Sequence, residues 1–279
     1  MPFVDCDGRR VSYEAGGRAG LPLMALLPPG AAGASIWRPV AAASRDRFRT
    51  AAVNPSGYGE TEPFAGPAAM TIRDEAVAAT AVIRAELPNG AARAHVVGHS
   101  YGGTIALVLA LEWPELVGRL TLLEPAPYPL LRDAGETAFA DEIGARNRDF
   151  IATVRGGGLN DRAMESYLDY FNGGPGYWRG LDEETRSRML ALPERLAVNL
   201  DAVERLGMSR ADLAAIAAPV TVVRGGATDP LHACLSELVA GAIPGAALVD
   251  LPGAGHMMTL THGAAIANLL RKMEQVAGS

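Results

Sequence analysis

Between Val96 and Gly103 the chain reads VVGHSYGG, an apolar run that meets a serine and passes directly into an Ala/Leu-rich stretch. Gly98-His99-Ser100-Tyr101-Gly102 satisfies G-x-S-x-G. Tiny residues two before and two after the serine let a strand turn into a helix without backbone collision. Such a turn holds the serine hydroxyl at a helix N-terminus, where unbonded N–H groups and the helix dipole favour negative charge. The stretch therefore demands a strand before residue 100 and a helix after it, and it makes Ser100 a candidate nucleophile.

The flanking sequence supplies the matching architecture. β-type runs at 23–27, 48–53, 94–97, 120–124, 220–223 and 247–251 alternate with helical patterns, which predicts parallel strands joined by helical crossovers. A hairpin is expected around Asp7-Gly8. The spacing predicts helices over 35–43, 71–87, 101–113, 231–242 and 263–276. The second of these opens on Thr71 and Asp74, a capping-box spacing. From 126 to 206 the strand pattern stops, yet this stretch holds eight of the sixteen aromatics, so it reads as a helical cap. The expected organisation is a core of residues 1–125 and 207–279 with the cap inserted at 126–206.

Charge and cysteine content narrow the partners. A net charge of −6 and a pI near 5.4 argue against nucleic acid or an anionic membrane. The sequence has no apolar run of membrane-spanning length and no signal-peptide pattern at its start, so a cytoplasmic location is expected. Two cysteines, Cys6 and Cys234, make no disulfide framework, and with the histidines they lack zinc-type spacing. No metal and no nucleotide cofactor is expected, since no G-x-G-x-x-G opens a dinucleotide unit. A small-molecule substrate fits best; composition says nothing about oligomeric state.

A serine nucleophile needs a base, and the chain offers five histidines. His99 should point away from Ser100. His95, His232 and His262 fall where structural or surface roles are expected. His256, in the loop Pro252-Gly253-Ala254-Gly255-His256-Met257 after the last strand pattern, can swing over the strand ends towards Ser100. It is the candidate general base.

GHSYGG, the loop PPGAAGASIW, the segment NPSGYGET and PGAGHM near the end together resemble the α/β-hydrolase superfamily, of the type with a helical lid between strands six and seven. That resemblance implies an α/β fold with a mostly parallel eight-stranded sheet flanked by helices, and a Ser, acid, His order along the chain. It places the acid after strand seven in a G-x-x-D turn, where Asp229 fits counted from Gly226 and Thr228 falls counted from Gly225. Asp229 also reads as a helix cap before Pro230. Glu124, closing the sixth strand, is the rival acid: a carboxylate at a buried strand end needs a partner, and proteins resembling haloalkane dehalogenases draw their acid from there. Both remain open at this stage. The resemblance further implies an oxyanion hole from the backbone N–H groups of Ala31 and Tyr101. Asn54 stands where the family's turn usually starts with Asp, and reads with Gly57 and Gly59 as structural.

Trp37, Tyr128, Tyr167 and Phe171 are candidate pocket residues; Trp37 serves equally to anchor its helix, whereas Tyr167, Tyr170 and Phe171 at helical spacing read first as packing between cap and core and second as substrate contacts. The function expected is hydrolysis of an ester, thioester or lactone through an acyl-enzyme on Ser100. Two alternatives share the same residues: hydrolysis of a C–C bond in a vinylogous diketone, and a small-molecule receptor with little turnover.

Overall fold

Asp7 and Gly8 both take left-handed backbone angles, φ 53° and 79°, as a two-residue hairpin turn requires. They pair β1 (Phe3–Cys6) antiparallel with β2 (Arg9–Gly16). The remaining strands are β3 (Leu23–Leu27), β4 (Arg49–Val53), β5 (Ala94–His99), β6 (Val117–Leu123), β7 (Val220–Gly225) and β8 (Ala247–Leu251). They complete one eight-stranded sheet ordered β1-β2-β4-β3-β5-β6-β7-β8, parallel from β4 to β8. This computed structural model describes residues 1–66, 69–87, 93–158, 160–171 and 174–277.

The helices among the described residues are α1 (Arg38–Ser44), α2 (Ile72–Glu86), α3 (Tyr101–Glu112), α4 (Pro129–Asp133), α5 (Thr137–Arg155), α6 (Asn160–Phe171) and α7 (Tyr177–Gly180). They continue with α8 (Glu183–Met189), α9 (Pro193–Glu204), α10 (Arg210–Leu213), α11 (Pro230–Ala242), α12 (Met258–Thr261) and α13 (Gly263–Ala277). No helix among the described residues is long and apolar enough to cross a membrane. The α/β architecture is thus the one the sequence predicts. Its details differ for identifiable reasons. The helix expected at 35–43 begins as a 3₁₀ turn, Ala34–Trp37, and turns α-helical at Arg38 with Pro39 in its first turn, where a missing N–H costs nothing. Strand β5 extends past its apolar run to His99, because its pairing with β6 continues to His99–Leu123.

Two packing features position the site. Helix α3 is buried from Tyr101 through Ala110, apolar on every side and wedged against the sheet. On β3, β5, β6, β7 and β8 the registers bring the strand ends level: Leu27 lies beside Gly98, His99 beside Leu123, Leu123 beside Val223 and Gly225 beside Leu251. The ladder continues one residue beyond the strands, with Ser100 N–H donating to Leu123 O and Glu124 N–H to Val223 O, each at 3.0 Å. Residues far apart in sequence therefore emerge along one carboxyl edge, where open α/β sheets bind ligands. Helices α4 to α10 lie in sequence between β6 and β7.

Candidate active site

Ser100 sits in the sharp turn between β5 and α3 with φ 51° and ψ −115°, a backbone conformation that L residues avoid at a cost of about 1–3 kcal/mol. The flanking glycines make the turn feasible. A Cβ at Gly98 would strike the Gly102 carbonyl, and one at Gly102 would strike the Leu27 carbonyl at the end of β3. The serine side chain is thereby thrust from the carboxyl edge at the N-terminus of α3.

His256 meets it there. Its Nε2 lies 3.0 Å from Ser100 Oγ, and its Nδ1 lies 2.8 Å from Glu124 Oε2. Glu124 is fully buried and has φ 39°. It accepts two further hydrogen bonds, from Gly225 N–H to Oε1 at 2.6 Å and from the Thr228 hydroxyl to Oε2 at 2.9 Å. A carboxylate only accepts, so His256 carries its proton on Nδ1 and turns the Nε2 lone pair to the serine. Burial alone would raise the Glu124 carboxyl; the His256 hydrogen bond and charge, the His232 charge and the Gly225 N–H outweigh it and hold the group below its usual range. Burial chiefly, with the nearby His232 charge, lowers His256 despite its bond to Glu124, which keeps the imidazole available as a base.

Asp229, the other acid the sequence offers, bonds elsewhere. It caps α11, accepting the His232 N–H at 3.1 Å, and its second oxygen lies 2.7 Å from His232 Nδ1. Burial would raise this carboxyl too, but the His232 bonds hold it at about 2. The residue closest to a G-x-x-D position counted from Gly225 is Thr228, which contributes its hydroxyl to Glu124. His232 is fully buried, and its ring stacks on His256 with centroids 3.5 Å apart and planes 20° apart. Sequence reasoning gave His232 a structural or surface role; the one local signal was the Asp229–His232 spacing at the start of a helix. His99 bonds the loop after β8 and not the serine. Its Nε2–H donates to the His256 carbonyl at 2.7 Å, and Nδ1 lies 2.9 Å from the Thr259 hydroxyl.

Of the two expected oxyanion donors, one follows the serine in the chain and the other lines its cavity. Tyr101 is the first residue of α3, so its N–H has no helical acceptor. Ala31 takes φ 58° in the loop after β3 and lines the same cavity as Ser100. That loop is tied down by Asn54, whose Oδ1 accepts the Ala34 N–H at 2.7 Å while its Nδ2 donates to Ser12 Oγ at 3.0 Å. Asn thus does the turn-holding work expected of Asp. Behind the loop lies a buried polar layer that the sequence did not signal. The Tyr58 hydroxyl donates to Asn199 of α9 at 3.0 Å and meets the Ala31 backbone. Glu75 accepts the Ser56 N–H at 3.0 Å and is pushed up to about 7 by burial.

Over the serine opens a cavity of about 420 Å³. Its walls are largely apolar: Pro29, Gly30 and Ala31 from the core, Tyr128, Tyr167, Leu168, Phe171, Met189 and Leu196 from the helices between β6 and β7, and Leu260. Tyr128, Tyr167 and Phe171 therefore stand where pocket residues were expected. Trp37 does not. It is fully buried in a core cluster with Met24 and Leu26 of β3 and Ile266 and Leu270 of α13, between the sheet and that helix. Glu124, His232 and His256 also cluster closely enough to be weighed as metal ligands. The donor set fits poorly: His256 Nδ1 and Glu124 Oε2 already bond each other, and lone pairs in the planes of two stacked rings do not converge on one ion.

The family model for the alpha/beta hydrolase family matches residues 24–269. Among curated proteins, the chain is 27% identical over 258 residues to the "Putative carbamate hydrolase RutD" of Caulobacter sp. (strain K31), covering 85% of each chain. It is 34% identical over 125 residues to the protein of the same name from Azorhizobium caulinodans, and that match spans 44% of each chain. Among solved structures, the enol-lactonase from Burkholderia xenovorans LB400 superposes with a TM-score of 0.76 at 20% identity, covering 98% of this chain and 100% of that one.

Proposed function

The chain belongs to the alpha/beta hydrolase family, and on that premise we propose that it is a serine hydrolase that opens an ester, thioester or lactone of a small molecule through an acyl-enzyme on Ser100. The observation that carries this reading is the unbroken line from Ser100 Oγ to His256 Nε2 at 3.0 Å and from His256 Nδ1 to Glu124 Oε2 at 2.8 Å. Ser100 Oγ attacks the carbonyl carbon while His256 Nε2 takes its proton. The carbonyl electron pair moves onto oxygen, where the N–H of Tyr101 receives it, joined by the Ala31 N–H as it turns from the Tyr58 hydroxyl oxygen. Collapse expels the alcohol or thiol, to which His256 returns the proton. Water then attacks the acyl-enzyme by the same route, releasing the acid and restoring Ser100. Glu124 keeps the imidazole in its Nδ1–H tautomer and stabilises the transient imidazolium.

Residues 126–206 serve as a lid on a core of 1–125 and 207–279. Tyr128, Tyr167, Leu168, Phe171 and Leu196 from that stretch share a cavity with Ser100, which supports the assignment. A largely apolar space of about 420 Å³, with Thr185 and Arg188 also on its wall, suits a small and mainly apolar substrate. A carbamate or an enol-lactone, named for the relatives above, carries a carbonyl open to the same attack. The test is hydrolysis of p-nitrophenyl acetate with burst kinetics. Ser100→Ala should lower turnover by about 10³-fold or more, and a Ser100→Ala protein that keeps the activity of the parent would overturn the reading.

A further inference from the structure

The two hydrogen bonds of His256, to Glu124 and to Ser100, lie in the plane of its ring. They fix rotation within that plane but leave the ring to tilt about the line joining its nitrogens. Its backbone is held, since His99 Nε2–H and Met258 N–H both donate to the His256 carbonyl, but those bonds fix the chain and not the tilt of the ring about its side-chain bonds. A general base free to tilt would lose its aim at Oγ, and misplacement by an ångström costs about 10²-fold. Something must cover a face of the ring.

We infer that His232, held by Asp229, is a positioning residue for the general base: its ring, stacked at 3.5 Å on His256, keeps the imidazole in line with Ser100 and Glu124. The inference rests on the hydrolase reading above. His232 is itself immobile. It lies in the first turn of α11, its Nδ1 and its backbone N–H both bond Asp229, and Phe171 meets its edge with centroids 5.2 Å apart. His99 and Phe171 also approach His256, but tilted and with centroids at 5.2 and 5.8 Å, so neither covers a face as His232 does.

Packing alone does not account for a histidine here. His232 Nε2 is buried and has no hydrogen-bond partner among the described residues. An unpaired buried polar atom is costly, and a phenyl ring would stack without that cost. What the imidazole adds is a ring face towards the cation that His256 becomes during turnover. The titratable and charged groups around the stacked pair are Asp229 before α11, Glu124 after β6, His99 after β5, and Tyr128 and Tyr170 from the helical segment. Of His232 and the Asp229 that holds it, His232 acts on His256 more strongly, lowering it where Asp229 raises it.

The test is the rate at which a fluorophosphonate labels Ser100, followed against pH, because it needs no natural substrate. In His232→Ala the plateau rate should fall ten- to a hundredfold. In the double variant His232→Phe with Asp229→Asn, which restores a ring and leaves no unpaired carboxylate, the plateau should return to within about threefold of wild type. The acid limb of that double variant should move to higher pH, since the stronger of the two influences on His256, the one that opposed its protonation, is gone. A His232→Ala protein labelled at the wild-type rate overturns the inference. If that variant does not fold, a double variant whose plateau rate stays ten- to a hundredfold below wild type despite its restored ring overturns it. Wild-type protein left unlabelled would sink the hydrolase reading and this inference with it; wild type labelled and His232→Ala unchanged sinks the inference alone.

Discussion

Two imidazole–carboxylate pairs lie against each other at the carboxyl edge of the sheet, and they are chemically alike. In one, Glu124 lies 2.8 Å from His256 Nδ1; in the other, Asp229 lies 2.7 Å from His232 Nδ1. All four groups are buried wholly or in large part. The difference is at the far nitrogen. His256 Nε2 faces a serine hydroxyl, whereas His232 Nε2 faces no hydrogen-bond partner among the described residues. A carboxylate behind an imidazole is therefore not what makes a base; the direction of the second nitrogen is. The pairs also differ in how they are built. Asp229 and His232 are three residues apart, and one helix start sets their geometry. Glu124 and His256 are 132 residues apart, and only the level ends of β6, β7 and β8 bring them together.

The sharpest way to break the comparison is to remove each imidazole in turn. Loss of the base in His256→Ala should cut kcat for p-nitrophenyl acetate by about 10⁴-fold or more, against the ten- to hundredfold expected for His232→Ala. Equal losses would mean that the two rings are not divided into base and support. A smaller effect lies in the pH profile. Protonation of His256 on acidification removes the base, and burial together with the His232 charge lowers this group below its ordinary value. The kcat/KM profile should therefore keep its plateau to below pH 6.5 before its acid limb falls, and a limb centred above that value would contradict the packing described around His256.

What the sequence could and could not disclose follows the same division between local and long-range geometry. The turn around Ser100 was legible because its requirement is local: tiny residues at 98 and 102, an apolar strand before them and a helix after. His256 was legible because a glycine-rich loop after the last strand is one of few places from which a histidine reaches that turn. The acid was not. Glu124 and Asp229 both occupy strand-end positions, and only the register of β7, which puts Thr228 rather than Asp229 over Glu124, separates their surroundings. His232 was missed because stacking between rings from α11 and the β8–α12 loop leaves no spacing to read. Trp37 was open between two roles, and the burial of its ring against the sheet depends on α13, which lies more than two hundred residues further along the chain. The eight-stranded sheet itself was legible because short apolar runs between helical patterns admit few other arrangements.

The most direct measurement sets one carboxylate against the other. Glu124→Gln and Asp229→Asn are near-isosteric, and each keeps an acceptor beside its histidine while removing the charge. With p-nitrophenyl acetate at the plateau pH, Glu124→Gln should lose about 10³- to 10⁴-fold in kcat, the loss expected when an imidazole is left in the wrong tautomer. Asp229→Asn should remain within about tenfold of wild type, because its side chain bonds His232 and not His256. If Asp229→Asn instead falls as far as Glu124→Gln, or further, then the assignment of Glu124 as the acid of the catalytic line is wrong.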